Sequence, residues 1–240
     1  MKALPLLFDK RLYIWLLISF IAATVIGTLS HEGGHYAIAK YYGYNAHINY
    51  MATHWEQSEE DKFLQSVYEK HSKELASGEK FPESEKFNHI RAVHRRHNLW
   101  IWLGGPLETM LTGTLGLMCI FLFRKSYHNK EKLSFIQWLL IFVSLFWLRQ
   151  TANAVVWFGH YLFTGTLSQG GDEIYLAYRF HLPDWGLITA TALIGAAVLA
   201  LIIFKFIPAR QRVTFIAAGF TGGIAGYILW LELFGKYILP

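Results

Sequence analysis

Residues 12–35 read LYIWLLISFIAATVIGTLSHEGGH, an apolar run of membrane-spanning length that ends in two histidines. About 20 consecutive apolar residues suffice for a helix to cross the hydrocarbon core of a bilayer. His31, Glu32 and His35 follow the H-E-x-x-H spacing, in which positions i and i+4 lie one above the other on a helix and can bind one metal ion. The stretch therefore predicts a transmembrane helix that carries a zinc site.

The position of this motif within a membrane span favours a functional role for it. Inserting an ionisable side chain at membrane depth costs about 2.5–3.5 kcal/mol, and such residues usually mark function. We therefore interpret His31 and His35 as metal ligands and Glu32 as the general base that activates a water molecule. Gly33 and Gly34 weaken a helix by about 1 kcal/mol each, which indicates a close approach by another backbone or by a substrate.

The composition of the 240-residue chain is that of a membrane protein. Hydrophobic residues make up 53% of the chain, aromatic residues 17% and charged residues 16%, which is more apolar than a typical soluble domain. The hydropathy pattern predicts an all-α fold, a polytopic transmembrane helical bundle of about five spans that forms a single integral-membrane domain over residues 1–240. The predicted spans are residues 12–41, 99–123, 135–161, 186–207 and 214–234.

A polar extramembrane insertion, residues 45–98, separates the first two predicted spans. Its sequence predicts helices around Glu59–Leu75 and Glu83–His97, with Gly78 and Pro82 between them. His94 and His97 share a basic helical stretch just before the second span. We interpret this stretch as an amphipathic helix that faces anionic headgroups, with an incidental metal site as the alternative.

Charge and cysteine content restrict orientation and metal chemistry. Cys119 is the single cysteine, so the chain forms no intramolecular disulfide, and any metal must be bound by nitrogen and oxygen ligands.

The net charge of +5 is spread over termini and loops, which indicates membrane orientation and no nucleic-acid partner. By the positive-inside rule the N-terminus and the loops after spans two and four are cytoplasmic, and the metal site lies toward the non-cytoplasmic face. The basic residues behind this prediction are Lys2, Lys10, Arg11, Arg124, Lys125, Lys130, Lys132, Lys205, Arg210 and Arg212.

A catalytic zinc site needs a third protein ligand and leaves one position for water. Asp172 is the predicted third ligand, because it follows two glycines and lies on the same predicted face as the histidines. Glu173 is the alternative ligand, and a solvated turn that leads into a helix is the alternative reading of both acids. The Gly104-Gly105-Pro106 turn also falls on this face, so the three segments are expected to converge.

The third predicted span contains a polar cluster that includes Arg149 and Asn153. These residues are four apart and share one helix face. A buried arginine in a span needs a partner, and Glu108 is the predicted one. Two uses remain open: a structural ion pair that joins spans two and three, or a contact from Asn153 or Arg149 to the transition state or to the substrate backbone.

Two overlapping G-x-x-x-G pairs occur in the last predicted span, Gly219/Gly223 and Gly222/Gly226. Small residues at this spacing let helix backbones approach closely. We interpret them as a helix-packing surface with no chemical role.

The stretch HEGGHYAIAKYYG, residues 31–43, resembles the site-2 protease family of intramembrane zinc metalloproteases, as a compact and divergent member. The Gly104-Gly105-Pro106 turn is similar to a Gly-Pro element of that family. The resemblance implies a zinc ion bound by His31, His35 and an aspartate from a later segment. The family's usual aspartate motif, N-x-x-P-x-x-x-x-D-G, is absent, so Asp172 corresponds to that aspartate in function only.

Two functions from different classes follow as expectations. The first is an intramembrane zinc endopeptidase with one Zn²⁺ per chain, which hydrolyses a peptide bond in a transmembrane or membrane-proximal protein segment. The second is a non-proteolytic zinc-containing membrane scaffold or chaperone. A metal transporter is disfavoured, because the last two predicted spans contain few polar residues.

Overall fold

The structure is a computed structural model that describes residues 8–56, 58–128 and 130–240. The described chain is almost entirely helical, with one short β-hairpin. In chain order the elements are α1 (Lys10–Tyr41), β1 (Asn45–Ile48), β2 (Thr53–Glu56), α2 (Ser58–Lys70), α3 (Ser72–Ser77), α4 (Ser84–Leu122), α5 (Arg124–Tyr127), α6 (Phe135–Ser144), a 3₁₀ turn (Leu145–Trp147), α7 (Leu148–Thr164), α8 (Asp172–Arg179), α9 (Asp184–Leu201), a π-helical segment (Ile202–Phe206), α10 (Ala209–Tyr227), a second π-helical segment (Ile228–Phe234) and α11 (Gly235–Ile238).

Five helices of the described chain are long and apolar enough to cross a membrane. We number them span 1 (Lys10–Tyr41), span 2 (Ser84–Leu122), span 3 (Phe135–Thr164), span 4 (Asp184–Phe206) and span 5 (Ala209–Ile238). The predicted all-α bundle is therefore confirmed, and the chain has the architecture of a multi-pass membrane protein.

Local sequence signals set several helix ends. The Asp9 carboxylate accepts hydrogen bonds from the backbone N–H groups of Arg11 and Leu12, which caps the start of α1. Ser134 and Gln137 form a reciprocal capping box at the start of α6. Gly165 adopts a left-handed conformation, with a φ of 70°, directly after α7.

The insertion between spans 1 and 2 differs from its prediction at its beginning. Residues 45–56 form an antiparallel hairpin in which Asn45 pairs with Glu56 and Ile48 with Thr53. The Asn49 side chain accepts hydrogen bonds from backbone N–H groups in the connecting turn, an arrangement typical of asparagine. Four-residue strands carry too little alternation to be recognised in a polar sequence, which is why the hairpin was not predicted.

The helices of the insertion also differ in their extent. The predicted helix over Glu59–Leu75 is divided into α2 and α3 at His71. The predicted helix over Glu83–His97 is the first part of α4, which begins at Ser84 and continues into span 2 without a break. The prediction placed the start of span 2 at residue 99, because polarity changes there while the helix does not end.

Span 1 packs against spans 2 and 5, so it is central to the bundle. At its contact with span 5, Gly222 lies against the Leu17 backbone and the Phe20 side chain, and Gly226 lies against Thr24. The Gly222/Gly226 pair therefore forms the close helix contact that the sequence indicated. Its overlapping neighbour Gly223 faces open space.

The bundle has two chemically different ends. The "basic end" comprises the N-terminus of α1 together with residues 124–128, 130–133 and 205–212. The backbone N–H of Asp9 donates there to the Thr214 hydroxyl at 3.0 Å. The hairpin and α8 lie at the opposite end, next to the histidines of α1. At 1.5 Å rise per residue, Lys10 and His31 are separated by about 30 Å along α1, roughly the thickness of a bilayer core.

The contact between spans 1 and 5 makes a direct prediction about stability. The Gly222→Ala substitution places a methyl group 2.7 Å from the Phe20 side chain and 2.9 Å from the Leu17 carbonyl oxygen. We expect a loss of about 1–3 kcal/mol of stability through overpacking. Thermal unfolding of the detergent-solubilised protein measures this loss as a lower Tm. Gly223→Ala is the matched control and is expected to leave the Tm unchanged or slightly higher, and equal behaviour of the two variants would contradict the packing account.

Candidate metal centre

The site is built where spans 1 and 2 cross at two glycines. A methyl group added to Gly34 would overlap the Gly104 carbonyl oxygen, and one added to Gly104 would lie 2.5 Å from the Gly34 carbonyl oxygen. One turn away on each helix, the Ser30 hydroxyl donates to Glu108 Oε1 at 2.6 Å. The pair Ser30/Gly34 on span 1 therefore faces the pair Gly104/Glu108 on span 2. Each pair is four residues apart, so these contacts fix the relative rotation of the two spans.

Both histidines are buried and direct their Nε2 atoms toward each other. His31 is 1% exposed and His35 is 4% exposed. Their Nε2 atoms are 3.2 Å apart. Asp172 Oδ2 lies 2.6 Å from the Nε2 atom of His31 and 3.4 Å from that of His35. Three donor atoms, all nitrogen or oxygen, thus converge from span 1 and α8.

The neighbours of His35 determine which of its nitrogens is free. Its Nδ1 lies 2.6 Å from the Ile101 carbonyl oxygen, which can only accept a hydrogen bond, so Nδ1 carries the proton. The lone pair of His35 therefore lies on Nε2, the atom that faces His31 and Asp172. Donation from the second ring nitrogen to a backbone carbonyl is typical of histidines that bind a metal.

Two of the three spacings between the donor atoms match those of a tetrahedral zinc site, and the third is shorter. Metal–ligand bonds of about 2.0–2.1 Å place tetrahedral ligand atoms about 3.3–3.4 Å apart. The distances of 3.2 Å and 3.4 Å agree with this value, whereas the 2.6 Å contact between His31 and Asp172 is shorter. Gly105 provides the room beside the histidines, since a methyl group there would overlap His35 Nε2 and lie 2.5 Å from His31 Nε2.

Glu32 lies beside the histidines and is bound from two other elements. Ligand atoms of His31, Glu32 and His35 all lie within 4.8 Å of one another. The Thr53 hydroxyl, in β2, is 3.1 Å from Glu32 Oε2 and 2.8 Å from the Glu32 backbone oxygen. An Arg149 guanidinium nitrogen, in span 3, is 3.9 Å from Glu32 Oε1. Both carboxylate oxygens thus have polar neighbours of their own.

The two acidic residues that begin α8 have different surroundings. Asp172 contacts both histidines, whereas Glu173 Oε1 accepts a hydrogen bond from the Asn153 side chain at 3.2 Å. Burial raises the pKa of Glu173, and the neighbouring Asp172 charge raises it further. Burial would also raise the pKa of Asp172, but hydrogen bonds to the histidines outweigh burial and lower it. Asp172 is therefore the better placed and more readily ionised of the two.

The expected ion pair between Arg149 and Glu108 does not form. Glu108 lies on the face of span 2 that contacts span 1, where Ser30 and Thr112 donate to its Oε1 at 2.6 Å and 2.9 Å. Arg149 lies next to Glu32 instead. Glu32 is another of the few acidic residues within the spans. Which of these acids faces Arg149 depends on the rotation of span 2, and the sequence does not specify that rotation.

In the basic stretch near the start of α4, His89, Arg91, Arg95 and Arg96 are exposed, whereas two other histidines contact neighbouring parts of the protein. His94 is 9% exposed and its Nε2 lies 2.5 Å from Glu60 Oε2, so it connects α4 to α2. The His97 ring stacks on Tyr42 with a centroid separation of 3.9 Å. His94 thus contacts the insertion, and His97 contacts the end of span 1.

A cavity of about 600 Å³ opens onto the histidines and Glu32. Four aromatic side chains line it: Trp55 of the hairpin, Trp102 of span 2, Trp157 of span 3 and Tyr227 of span 5. The rings of Trp55 and Trp102 are in edge contact, with their centroids 5.7 Å apart. The cavity thus combines apolar walls with a small number of converging polar groups, the usual character of a ligand site.

Sequence reasoning did not identify three groups that shape this site. Thr53 and Trp55 belong to the unpredicted hairpin, and the Ile101 carbonyl is a backbone group in an apolar run. Asp172 and Arg149 were recognised as candidates from their position near or within spans. Thr53 and Trp55 lie on one face of a four-residue strand, and two positions are too few to show an alternation in the sequence.

Comparison of the chain with protein-family models, with curated proteins and with solved structures found no match. The resemblance to the site-2 proteases therefore rests on the quoted motifs alone.

The geometry predicts which substitutions remove the metal. Asp172→Ala and His35→Ala each remove one of three converging ligands, so the zinc content of the purified protein is expected to fall from about one per chain to near zero. Glu173→Gln is the matched control, because Glu173 is bound to Asn153, and it is expected to retain zinc. The measurement is metal analysis of detergent-purified, folded protein supplied with zinc. Zinc retained by Asp172→Ala but lost by Glu173→Gln would reverse the assignment.

Proposed function

We propose that the protein is an intramembrane zinc-dependent endopeptidase. One observation carries the proposal: His31, His35 and Asp172 converge within hydrogen-bonding distances, and Glu32 lies beside them at the edge of an open cavity. The donor set suits zinc, and the open cavity provides access for water and a peptide segment. The family resemblance of residues 31–43 points to the same reaction.

His31, His35 and Asp172 would hold the ion. When bound, Zn²⁺ acts as a Lewis acid on a carbonyl oxygen and lowers the pKa of a coordinated water. Gly105 keeps the space in front of both Nε2 atoms free. The hydrogen bond from His35 Nδ1 to Ile101 keeps the His35 ring in one orientation.

Glu32 is the general base in this proposal. Its carboxylate takes a proton from the attacking water and later gives that proton to the leaving amine. The Thr53 hydroxyl lies 3.1 Å from Oε2, and an Arg149 guanidinium nitrogen lies 3.9 Å from Oε1. These contacts hold the base in position before the substrate enters.

Arg149 and Asn153 have separate roles in this arrangement. Arg149 lines the cavity and is close enough to Glu32 to stabilise negative charge that develops near it. Asn153 holds Glu173 and thereby fixes the start of α8, which positions Asp172. Asn153 is therefore a positioning residue.

The substrate is proposed to be a transmembrane or membrane-proximal protein segment. Peptide bonds within a membrane helix are tied up in internal hydrogen bonds, so such a segment must unwind locally before hydrolysis. The walls formed by Trp55, Trp102 and Trp157 offer apolar contacts to an unwound segment. By the positive-inside rule, the basic end is cytoplasmic and the histidines lie toward the other face.

The proposal predicts that Glu32→Gln abolishes cleavage while zinc remains bound. Cells that express the wild type or the variant are compared by mass spectrometry for new peptide N-termini that fall within membrane segments. Such termini are expected with the wild type and are expected to be missing with Glu32→Gln. Glu108→Gln is the matched control, because Glu108 contacts Ser30 and Thr112 and not the histidines. Unchanged cleavage in Glu32→Gln would overturn the proposal.

A second prediction concerns the hydroxyl that orients the base. Thr53→Val removes the hydroxyl whose single proton is shared between the Glu32 backbone oxygen and Oε2. A shared hydrogen bond of this kind is worth about 0.5–1.5 kcal/mol, so turnover is expected to fall by about 2–10-fold. Thr53→Ser retains the hydroxyl and is expected to stay close to the wild type. Cleavage rates are compared at equal zinc content, and equal rates for the valine and serine variants would remove Thr53 from the site.

The scaffold alternative makes the opposite prediction. If the zinc is structural, Glu32→Gln has no effect on any cleavage, while His35→Ala lowers the Tm through loss of the metal. This alternative would be favoured if the wild type binds zinc and if the same peptide N-termini within membrane segments are found with the wild type and with Glu32→Gln.

A further inference from the structure

A second cavity, of about 460 Å³, lies at the basic end, about one membrane thickness from the histidines. It is formed by the segment that follows span 2 and by the connection between spans 4 and 5. The basic side chains that line it are Arg124, Lys125, His128, Lys130, Lys205 and Arg212. The candidate endopeptidase site uses none of them.

The positive charge of this cavity is not balanced by acids within its walls. Among the described residues that line it, none is acidic. The nearby Glu131 is directed at Arg210, whose guanidinium lies 3.2 Å from its carboxylate. An anion that enters the cavity therefore meets cationic side chains from two separate loops.

Arg212 is held in a fixed position at the wall. Its guanidinium donates to the backbone oxygens of Phe204 and Ile207, at 2.7 Å and 3.0 Å. These bonds to neutral carbonyls order the side chain, and no carboxylate among the described residues forms an ion pair with it. An ordered arginine at the edge of a cavity is well suited to phosphate recognition.

The remaining walls and the surroundings are apolar. Tyr127, Phe206 and Ile207 are buried and line the cavity beside the basic groups. Leu122 at the end of span 2 and Phe204 in span 4 are 76% and 69% exposed on the neighbouring outer surface. An apolar surface suited to lipid acyl chains therefore lies beside a phosphate held in the cavity. Free phosphate has no acyl chain that could contact this surface.

We propose that this cavity binds the headgroup of an anionic phospholipid, with the phosphate between Arg212, Lys205 and the basic residues after span 2. Basic pockets between membrane helices on the cytoplasmic side bind lipid headgroups in this way. The site is independent of the proposed peptidase activity. A lipid bound in the cavity contacts both the loop after span 2 and the connection between spans 4 and 5.

The test is native mass spectrometry of the full-length, detergent-solubilised protein with a dioleoyl phosphatidylglycerol or dioleoyl phosphatidylcholine probe. The wild type is expected to retain one phosphatidylglycerol and to bind phosphatidylcholine at least about tenfold more weakly. The Lys125→Gln/Lys205→Gln variant is expected to weaken retention of phosphatidylglycerol by at least about tenfold. Lys125 and Lys205 are exposed, so the variant is expected to keep the Tm of the unliganded protein.

A charge-matched control separates the cavity from the general positive charge of this end. Lys10→Gln/Arg11→Gln removes the same charge from exposed positions on the same end, outside the cavity, and is expected to bind as the wild type does. Equal losses in the two double variants would overturn the proposal in favour of nonspecific attraction. Displacement of the lipid by 10-fold excess inorganic phosphate would assign the site to free phosphate and also overturn the lipid assignment.

Discussion

The close approach of spans 1 and 2 at Gly34 and Gly104 is the constraint on which the site depends. With no side chain at either position, the two backbones come into contact and the adjacent turns of both helices face each other. This contact places the Ile101 carbonyl against His35 and Gly105 in front of both Nε2 atoms. A larger residue at the crossing would separate the histidines from the groups that orient them.

The same contact determines how the polar groups inside the bundle are satisfied. A polar side chain at membrane depth needs a partner within the protein, because lipid supplies none. Glu108 meets Ser30 across the crossing, and Arg149 lies beside Glu32 from span 3. The hairpin contributes Thr53 from outside the membrane segments. Glu32 consequently has polar neighbours from two other elements, β2 and span 3, that are far apart in the sequence.

The sequence predicted the bundle well and the site in part. Long apolar runs and the i, i+4 spacing of His31 and His35 are properties of a single helix, so both could be recognised locally. The hairpin over residues 45–56 was not predicted, because its strands are too short to show a clear alternation of apolar and polar residues. Arg149 was assigned the wrong acid, since its partner depends on the rotation of span 2, which no local pattern specifies.

The sequence by itself determined the five membrane-length helices and the histidine pair with Glu32 between them, because helix geometry fixes these from local spacing. The tertiary structure alone decided which acid meets the histidines. Asp172 lies 141 residues after His31, and its neighbour Glu173 turns to Asn153 instead. That choice follows from the direction in which α8 begins, and contacts between helices set this direction.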